Sequence, residues 1–215
     1  KMIKSAAQNG ADIVKLQTFI GDELISKTIK AKDPDHPDRE IFLHEFFQRY
    51  QLTRKDYRTL FAYAHELGVP IYSTPFDEGS LNMLIDLGMP AIKVASPDLT
   101  YMPFLKKVGQ TGLPVVISTG MGTNEEIKEA LKVVRQGGSE NVILLHCVSS
   151  YPASYNEMNL SCLKQMSLDF KVPIGLSDHT LDNLSGIVAT SLGAVMIEKH
   201  FTIDRGLPGV DQKIS

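Results

Sequence analysis

Two lysines occupy positions where lysine is costly. "ADIVKLQ" sets Lys15 inside an apolar, β-rich run with Gln17 on the same face, and "AIKVAS" sets Lys93 between Ile92 and Val94. An ammonium in such a run loses its hydration, so it must meet an acid or an anionic ligand. Ser73 and Thr74, Ser96, Ser118 and Thr119, and Ser149 end neighbouring runs, and their hydroxyls suit phosphate and carboxylate oxygens. Glu198 is an acid that could instead pair with one lysine. Two lysines together with these hydroxyls predict an anion pocket.

The imidazoles raise a second chemistry. "GLSDHT" ends on His179, and "MIEKHF" sets Glu198 and His200 on one strand face. Adjacent strands lie about 4.8 Å apart, so the two rings could share one metal ion and leave coordination positions open for water and a substrate oxygen. Two hydrogen-bonded core histidines are the other reading, and spacing alone does not decide between them. His146, beside Cys147 in "VILLHCVSS", lacks a metal partner and reads as structural or supporting. Cys147 reads as an inert buried thiol. "STGMGTNEE" has two glycines but not the lysine of a phosphate-binding P-loop, and the scattered methionines read as core filler.

These residues end a series of strands. Runs at Ala11–Gln17, Val69–Pro75, Ala91–Ser96, Pro114–Thr119, Val142–Cys147, Val172–His179 and Val195–Phe201 alternate with helical segments such as Arg54–Leu67, Asn124–Gln136 and Asn183–Leu192. Thr53, Asp77 and Thr123 are N-cap residues; Gly68, Gly88, Gly112, Gly137 and Gly193 are left-handed C-caps. Nearly continuous apolar strands alternating with helices predict a parallel α/β protein: a (β/α)8 TIM barrel lacking its first strand, preceded here only by the helical "KMIKSAAQNG". A doubly wound sheet is the alternative, weakened by the absence of a Gly-rich phosphate loop. The long insertion Phe19–Gln51, with "KDPDHPDREIFLHEFF", reads as a proline-punctuated loop, then an amphipathic turn or two, where barrels carry substrate loops.

The chain has 215 residues, 22% charged and 43% hydrophobic, with a formal net charge of −3. One domain spanning residues 1–215 is expected. No global basic footprint points to nucleic acid, and no apolar run approaches a membrane span. Two cysteines are too few for a disulfide framework, which predicts a cytoplasmic setting.

The ordered motifs "VKLQTF", "STPFD", "KVASPDLT", "STGMG", "LLHCVSSYPA", "GLSDHTLDN" and "IEKHFTIDRGLPGVD" resemble the sialic acid synthase family, with its legionaminate, pseudaminate and spore-coat relatives. The resemblance implies a phosphoenolpyruvate-condensing synthase that joins phosphoenolpyruvate to an open-chain acetamido sugar. It implies that Lys15, Thr74, Lys93, Ser96 and Ser118 bind phosphoenolpyruvate, with Ser149 where many members have asparagine. It places Gln17, Tyr151 and Asp211 at the sugar, and makes His179 and His200 ligands of a divalent ion, usually Mn2+, with Mg2+ or Co2+ as alternatives. Asp98 stands where many relatives carry a catalytic glutamate, while Lys15 and Lys93 stabilise charge and Glu198 orients them. Gln212 replaces the histidine of the commoner Gly-Pro-Asp-His loop. The resemblance further implies a homodimer in the full-length protein, and a chain truncated at both ends, without the first strand or the C-terminal antifreeze-like domain. A metal-dependent aldolase or lyase on a phosphosugar and a non-catalytic ligand-binding fragment are the competing readings.

Overall fold

The computed structural model describes residues 1–215, which form two compact units: Lys1–Pro90 with Thr202–Lys213, and Ala91–Phe201 with Ile214–Ser215. The first unit contains α1 (Met2–Gln8), β1 (Val14–Thr18), α2 (Gly21–Leu24), β2 (Lys30–Lys32), β3 (Glu40–Phe42), α3 (Leu43–Tyr50), α4 (Arg54–Glu66), β4 (Ile71–Pro75) and α5 (Glu78–Asp86). Strands β1 and β4 pair in parallel, with Lys15 opposite Tyr72 and Gln17 opposite Thr74. Ile3, Ala64, Val69 and Ile71 form a buried cluster that packs α1 and α4 against these strands. Helix α4 begins on a reciprocal capping box between Thr53 and Asp56, as the Thr53 cap predicts. In the insertion α3 is the expected amphipathic stretch of about two turns, while the antiparallel β2–β3 hairpin and the short α2 are structure beyond the expected loop.

The second unit contains β5 (Ile92–Val94), α6 (Met102–Gln110), β6 (Val115–Ser118), α7 (Asn124–Gly137), β7 (Val142–Cys147), α8 (Cys162–Phe170), β8 (Ile174–Asp178), α9 (Leu184–Ser191) and β9 (Ile197–Lys199). Its strands lie side by side in chain order, β5-β6-β7-β8-β9, and the β5–β6, β6–β7, β7–β8 and β8–β9 pairs are all parallel. A doubly wound sheet reverses its strand order at a switch point; this run does not, so the doubly wound alternative is set aside. Ile92, Val94, Val115, Ile117, Leu144, Leu145 and Leu176 are fully or almost fully buried. Burying each side chain contributes about 1.5–3 kcal/mol against the entropy of ordering the strands.

Helices α6 and α7 approach closely because both carry glycine at the contact. A Cβ on Gly109 would lie 2.3 Å from the Val134 carbonyl oxygen, and one on Gly137 would lie 2.7 Å from Gly109 Cα. This corrects the reading of Gly137 as a left-handed cap. Gly137 is the last helical residue, small because of packing, and Gly138 takes the positive φ of 128°. Strand β9 is also shorter than Val195–Phe201, so His200 lies just past it, as His179 lies just past β8.

Candidate active site

In-register parallel strands point paired residues to the same side. Cys147 on β7 pairs with Ser177 on β8, and Ser177 pairs with Glu198 on β9, which makes one row across three strands. Lys93 on β5 is 2% exposed. Its ammonium donates to the Ser118 hydroxyl at 2.6 Å and to the Val94 carbonyl at 2.8 Å, and lies 3.9 Å from a Glu198 oxygen. Glu198 also accepts from the Ser177 hydroxyl at 3.1 Å. The lysine therefore has Glu198 as its acid, the pairing weighed against an anionic ligand, with the Ser118 hydroxyl beside it.

Three oxygens converge on Gly120 in the loop after β6. Its N–H donates to Ser96 Oγ at 3.0 Å. A Cβ there would lie 2.4 Å from Ser149 Oγ, 2.8 Å from Ser96 Oγ and 3.3 Å from the Cys147 carbonyl. Only glycine leaves room for these hydroxyls, so Ser96 and Ser149 are brought together. Asp98 sits in the 3-10 turn that follows β5, and its Oδ2 is buried without a hydrogen-bond partner. Burial pushes its carboxyl up while the nearby Lys93 charge pulls it down, and the result is a pKa of about 6. Such a group can both give and take a proton near neutrality.

His179 Nδ1–H donates to the Val148 carbonyl at 2.8 Å, which leaves Nε2 as the ring's acceptor nitrogen. The His179 and His200 ring centroids are 5.6 Å apart. Two imidazoles bound to one ion through bonds of about 2.1 Å hold their centroids roughly 5–6 Å apart, so the pair fits an open site. No group of three or more His, Cys, Asp or Glu side chains gathers for a closed site. Tyr151 lies against His179 with ring centroids 4.1 Å apart, and 6.0 Å from the His200 ring.

The Cys147 thiol is not isolated in an apolar run. Burial pushes it up, but its hydrogen bond to His179 and that ring's charge, with Ser96 and Lys93, outweigh burial and leave it below the ordinary thiol value. Burial likewise pushes His179 down, and the Cys147 and Val148 contacts outweigh it and leave the imidazole above its usual value. His146 pairs through Nε2 with the Met158 carbonyl at 2.7 Å, a supporting contact.

Lys199 and Asp178 are a pair the sequence reading missed. They are register partners on the face opposite Glu198. Lys199 Nζ donates to Asp178 Oδ2 at 2.9 Å and to the Thr180 carbonyl at 2.5 Å. Asp178, 1% exposed, also accepts from the Thr180 N–H and hydroxyl. This tie joins the residues on either side of His179 to the residue before His200. Its only signal in sequence is the shared "DH" and "KH" order.

The other residues expected at the site from the sequence lie in the first unit. Lys15 is half-buried on β1, Gln17 is exposed with its carbonyl accepting from Tyr57 Oη at 2.8 Å, and Thr74 is buried on β4. Asp211 opens a 3-10 turn, Asp211–Ile214. Gln212 accepts a short hydrogen bond from the Thr202 hydroxyl, so it ties its loop across the neck.

In the second unit, parallel strands of an α/β protein carry at their ends a lysine–hydroxyl cluster, a perturbed carboxyl and paired imidazoles. The chain belongs to the NeuB family, which it matches over residues 2–215. It is 37% identical over 221 residues to the N,N'-diacetyllegionaminic acid synthase of Legionella pneumophila, covering 100% of this chain and 62% of that protein. An uncharacterized Methanocaldococcus jannaschii protein is 40% identical over all of this chain and 60% of its own length. The crystal structure of the sialic acid synthetase from Leptospira borgpetersenii, in complex with citrate, matches with a TM-score of 0.89 at 31% identity, covering 100% of this chain and 70% of that one. The chain thus spans about three-fifths of the length of these curated relatives.

Proposed function

We propose that the protein condenses phosphoenolpyruvate with an open-chain 2-acetamido sugar, giving a nine-carbon sialic-acid-type sugar and phosphate. The observation that carries this reading is the buried Lys93 ammonium, bonded to Ser118 and facing Glu198, with the near-neutral Asp98 carboxyl beside it. Family membership favours a synthase over a phosphosugar lyase or a passive ligand-binding module.

In this proposal Lys93 and the Ser96, Ser118 and Ser149 hydroxyls hold the carboxylate and phosphate of phosphoenolpyruvate, and the partly dry pocket strengthens those contacts. Carbon 3 attacks the aldehyde carbon, a C–C bond forms, and the aldehyde oxygen takes a proton from Asp98. Water then adds at carbon 2 and returns a proton to Asp98. The bond from carbon 2 to the phosphate oxygen then breaks, the carbon 2 hydroxyl becomes the ketone, and its proton leaves on the departing phosphate. Glu198 keeps Lys93 charged and oriented. A divalent ion held by His179 and His200 supplies Lewis-acid polarisation of a substrate oxygen when bound. Tyr151 packs on the His179 ring and flanks the acceptor sugar.

Lys15, Gln17, Thr74 and Asp211 enter the proposal on family membership alone, the first and third for phosphoenolpyruvate and the others for the sugar. The (β/α)8 closure rests on the parallel strand–helix alternation within each unit. Manganese is favoured by family resemblance, and the two-imidazole spacing is compatible with a divalent ion. A homodimer follows the same resemblance, and a cytoplasmic setting is proposed from the two cysteines; no helix is long and apolar enough to cross a membrane. The test is phosphate release from phosphoenolpyruvate by the full-length protein against a panel of acetamido sugars, with and without Mn2+. Sugar- and metal-dependent release is expected. No release with any sugar overturns the reading.

A further inference from the structure

The insertion between β1 and α4 carries a set of charged and phenolic groups that no catalytic step uses. Asp33, 3% exposed, accepts from Arg49 Nη2 at 2.8 Å and from the Asp35 N–H at 3.0 Å. Asp35 then accepts the Tyr50 hydroxyl at 2.6 Å and the Gly209 N–H at 3.2 Å, and its Oδ2 lies 3.7 Å from Arg49 Nη1. All five residues lie in the first unit. Gly209 has φ +107°, and the space of its missing Cβ lies 3.7 Å from the Tyr50 ring. The positive φ is what requires glycine here, while the 3.7 Å distance is ordinary contact that seats the Tyr50 ring against the turn. At the other end of the same loop Thr202 is tied to Gln212.

We propose that Asp35 and Tyr50 are positioning residues for the acceptor sugar: with Asp33 and Arg49 they form a latch that fixes the Gly209 backbone, and so aims Asp211, two residues on, at the sugar. This rests on the reading of Asp211 as a sugar-binding residue. Three features support a built latch. The anchor Asp33 is buried and held by a guanidinium and a backbone N–H, so Asp35 starts from a fixed point. Burial, then the hydrogen bond to Asp35, push the Tyr50 phenol up to about 12, so it remains a donor across the working pH range. The contact joins chain positions 174 residues apart, so local folding of the loop does not produce it.

The latch predicts selective kinetics. A misplaced Asp211 weakens acceptor binding and alignment, while phosphoenolpyruvate, held by other residues, is unaffected. In the full-length protein, Asp35→Ala and Tyr50→Phe are compared with wild type and with the exposed-site control Asp38→Asn. Two readouts are used: amide hydrogen exchange over residues 206–212, and separate KM values for acceptor and phosphoenolpyruvate. Asp35→Ala is expected to lower protection at Gly209 by roughly tenfold. It should raise the acceptor KM about 10–100-fold and leave the phosphoenolpyruvate KM within about twofold. Tyr50→Phe moves both readouts the same way by less, and serves alone if Asp35→Ala does not fold.

Unchanged exchange overturns the latch, whatever the kinetics. Lost protection with an unchanged acceptor KM, or with both KM values rising equally, overturns the positioning role. A wild-type protein that consumes no phosphoenolpyruvate with any sugar identifies failure of the functional reading, and the acceptor role falls with it. The exchange data then still report whether Asp35 holds Gly209.

Discussion

Replacing Asp98 by Asn should make the protein more stable and less active, with a pH signature that no packing effect reproduces. Asp98 has a buried Oδ2 without a partner, and its carboxyl is raised from 3.8 to about 6 by burial, against the opposing Lys93 charge. Because the native pKa lies above the unfolded one, the native state holds a proton that the unfolded chain has lost between about pH 4 and pH 6. Stability therefore falls as pH rises through that window, and the full penalty is present above it. At about 1.4 kcal/mol per pKa unit the rise corresponds to ~3 kcal/mol. The side chain still faces solvent in part, and screening reduces the figure to about 1.5 kcal/mol. Asn mimics the neutral acid, so Asp98→Asn and wild type should unfold at similar urea concentrations at pH 4. At pH 7.5 the variant should be more stable by about 1.5 kcal/mol. Its phosphate release should fall about 100- to 10,000-fold through loss of the proton carrier. A stability difference that does not change between pH 4 and pH 7.5 would refute the assignment of a strained, proton-exchanging carboxyl.

Further outcomes follow from the same geometry. Gly120→Ala puts a methyl 2.4 Å from Ser149 Oγ and 2.8 Å from Ser96 Oγ, so phosphoenolpyruvate affinity by calorimetry should drop about tenfold or more, with the thermal midpoint little changed. Lys199→Met strands the buried Asp178 carboxylate and should cost about 3–5 kcal/mol in chemical denaturation; the double variant with Asp178→Asn should recover much of it. Gly109→Ala drives a Cβ to 2.3 Å from the Val134 carbonyl and should lower stability by about 1–3 kcal/mol as α6 and α7 separate. His200→Ala should abolish Mn2+ binding measured by paramagnetic resonance, and unchanged binding would remove the imidazole pair from the metal role.

Much of the second unit is legible in the residues themselves. Ile92, Val115, Val142 and Ile174 start short apolar runs between helices, and burial on both faces makes the run itself the signal. Polar residues inside such runs are conspicuous, which is why Lys93, Ser118 and Glu198 could be singled out and do meet. The β2–β3 hairpin was not legible, because three-residue strands such as "KAK" and "EIF" carry no readable alternation. Gly137 misled because glycine marks a left-handed cap and a close helix contact alike, and only the position of Gly109 on the neighbouring α6 separates them. Cys147 looked apolar along the chain, yet its polar neighbours Ser177 and Glu198 come from other strands in register. Asp178 and Lys199 escaped for the same reason, since their pairing depends on a register that sequence does not state.

The most direct test is a calorimetric titration of phosphoenolpyruvate into the full-length wild-type protein and its Lys93→Met variant. Saturable one-to-one binding by wild type, weakened about 100-fold or more in the variant as expected for a lost charge-assisted contact, is the predicted result. Equal binding by the two proteins would contradict it, because the anion would then be held somewhere other than at the lysine on which the proposed chemistry depends.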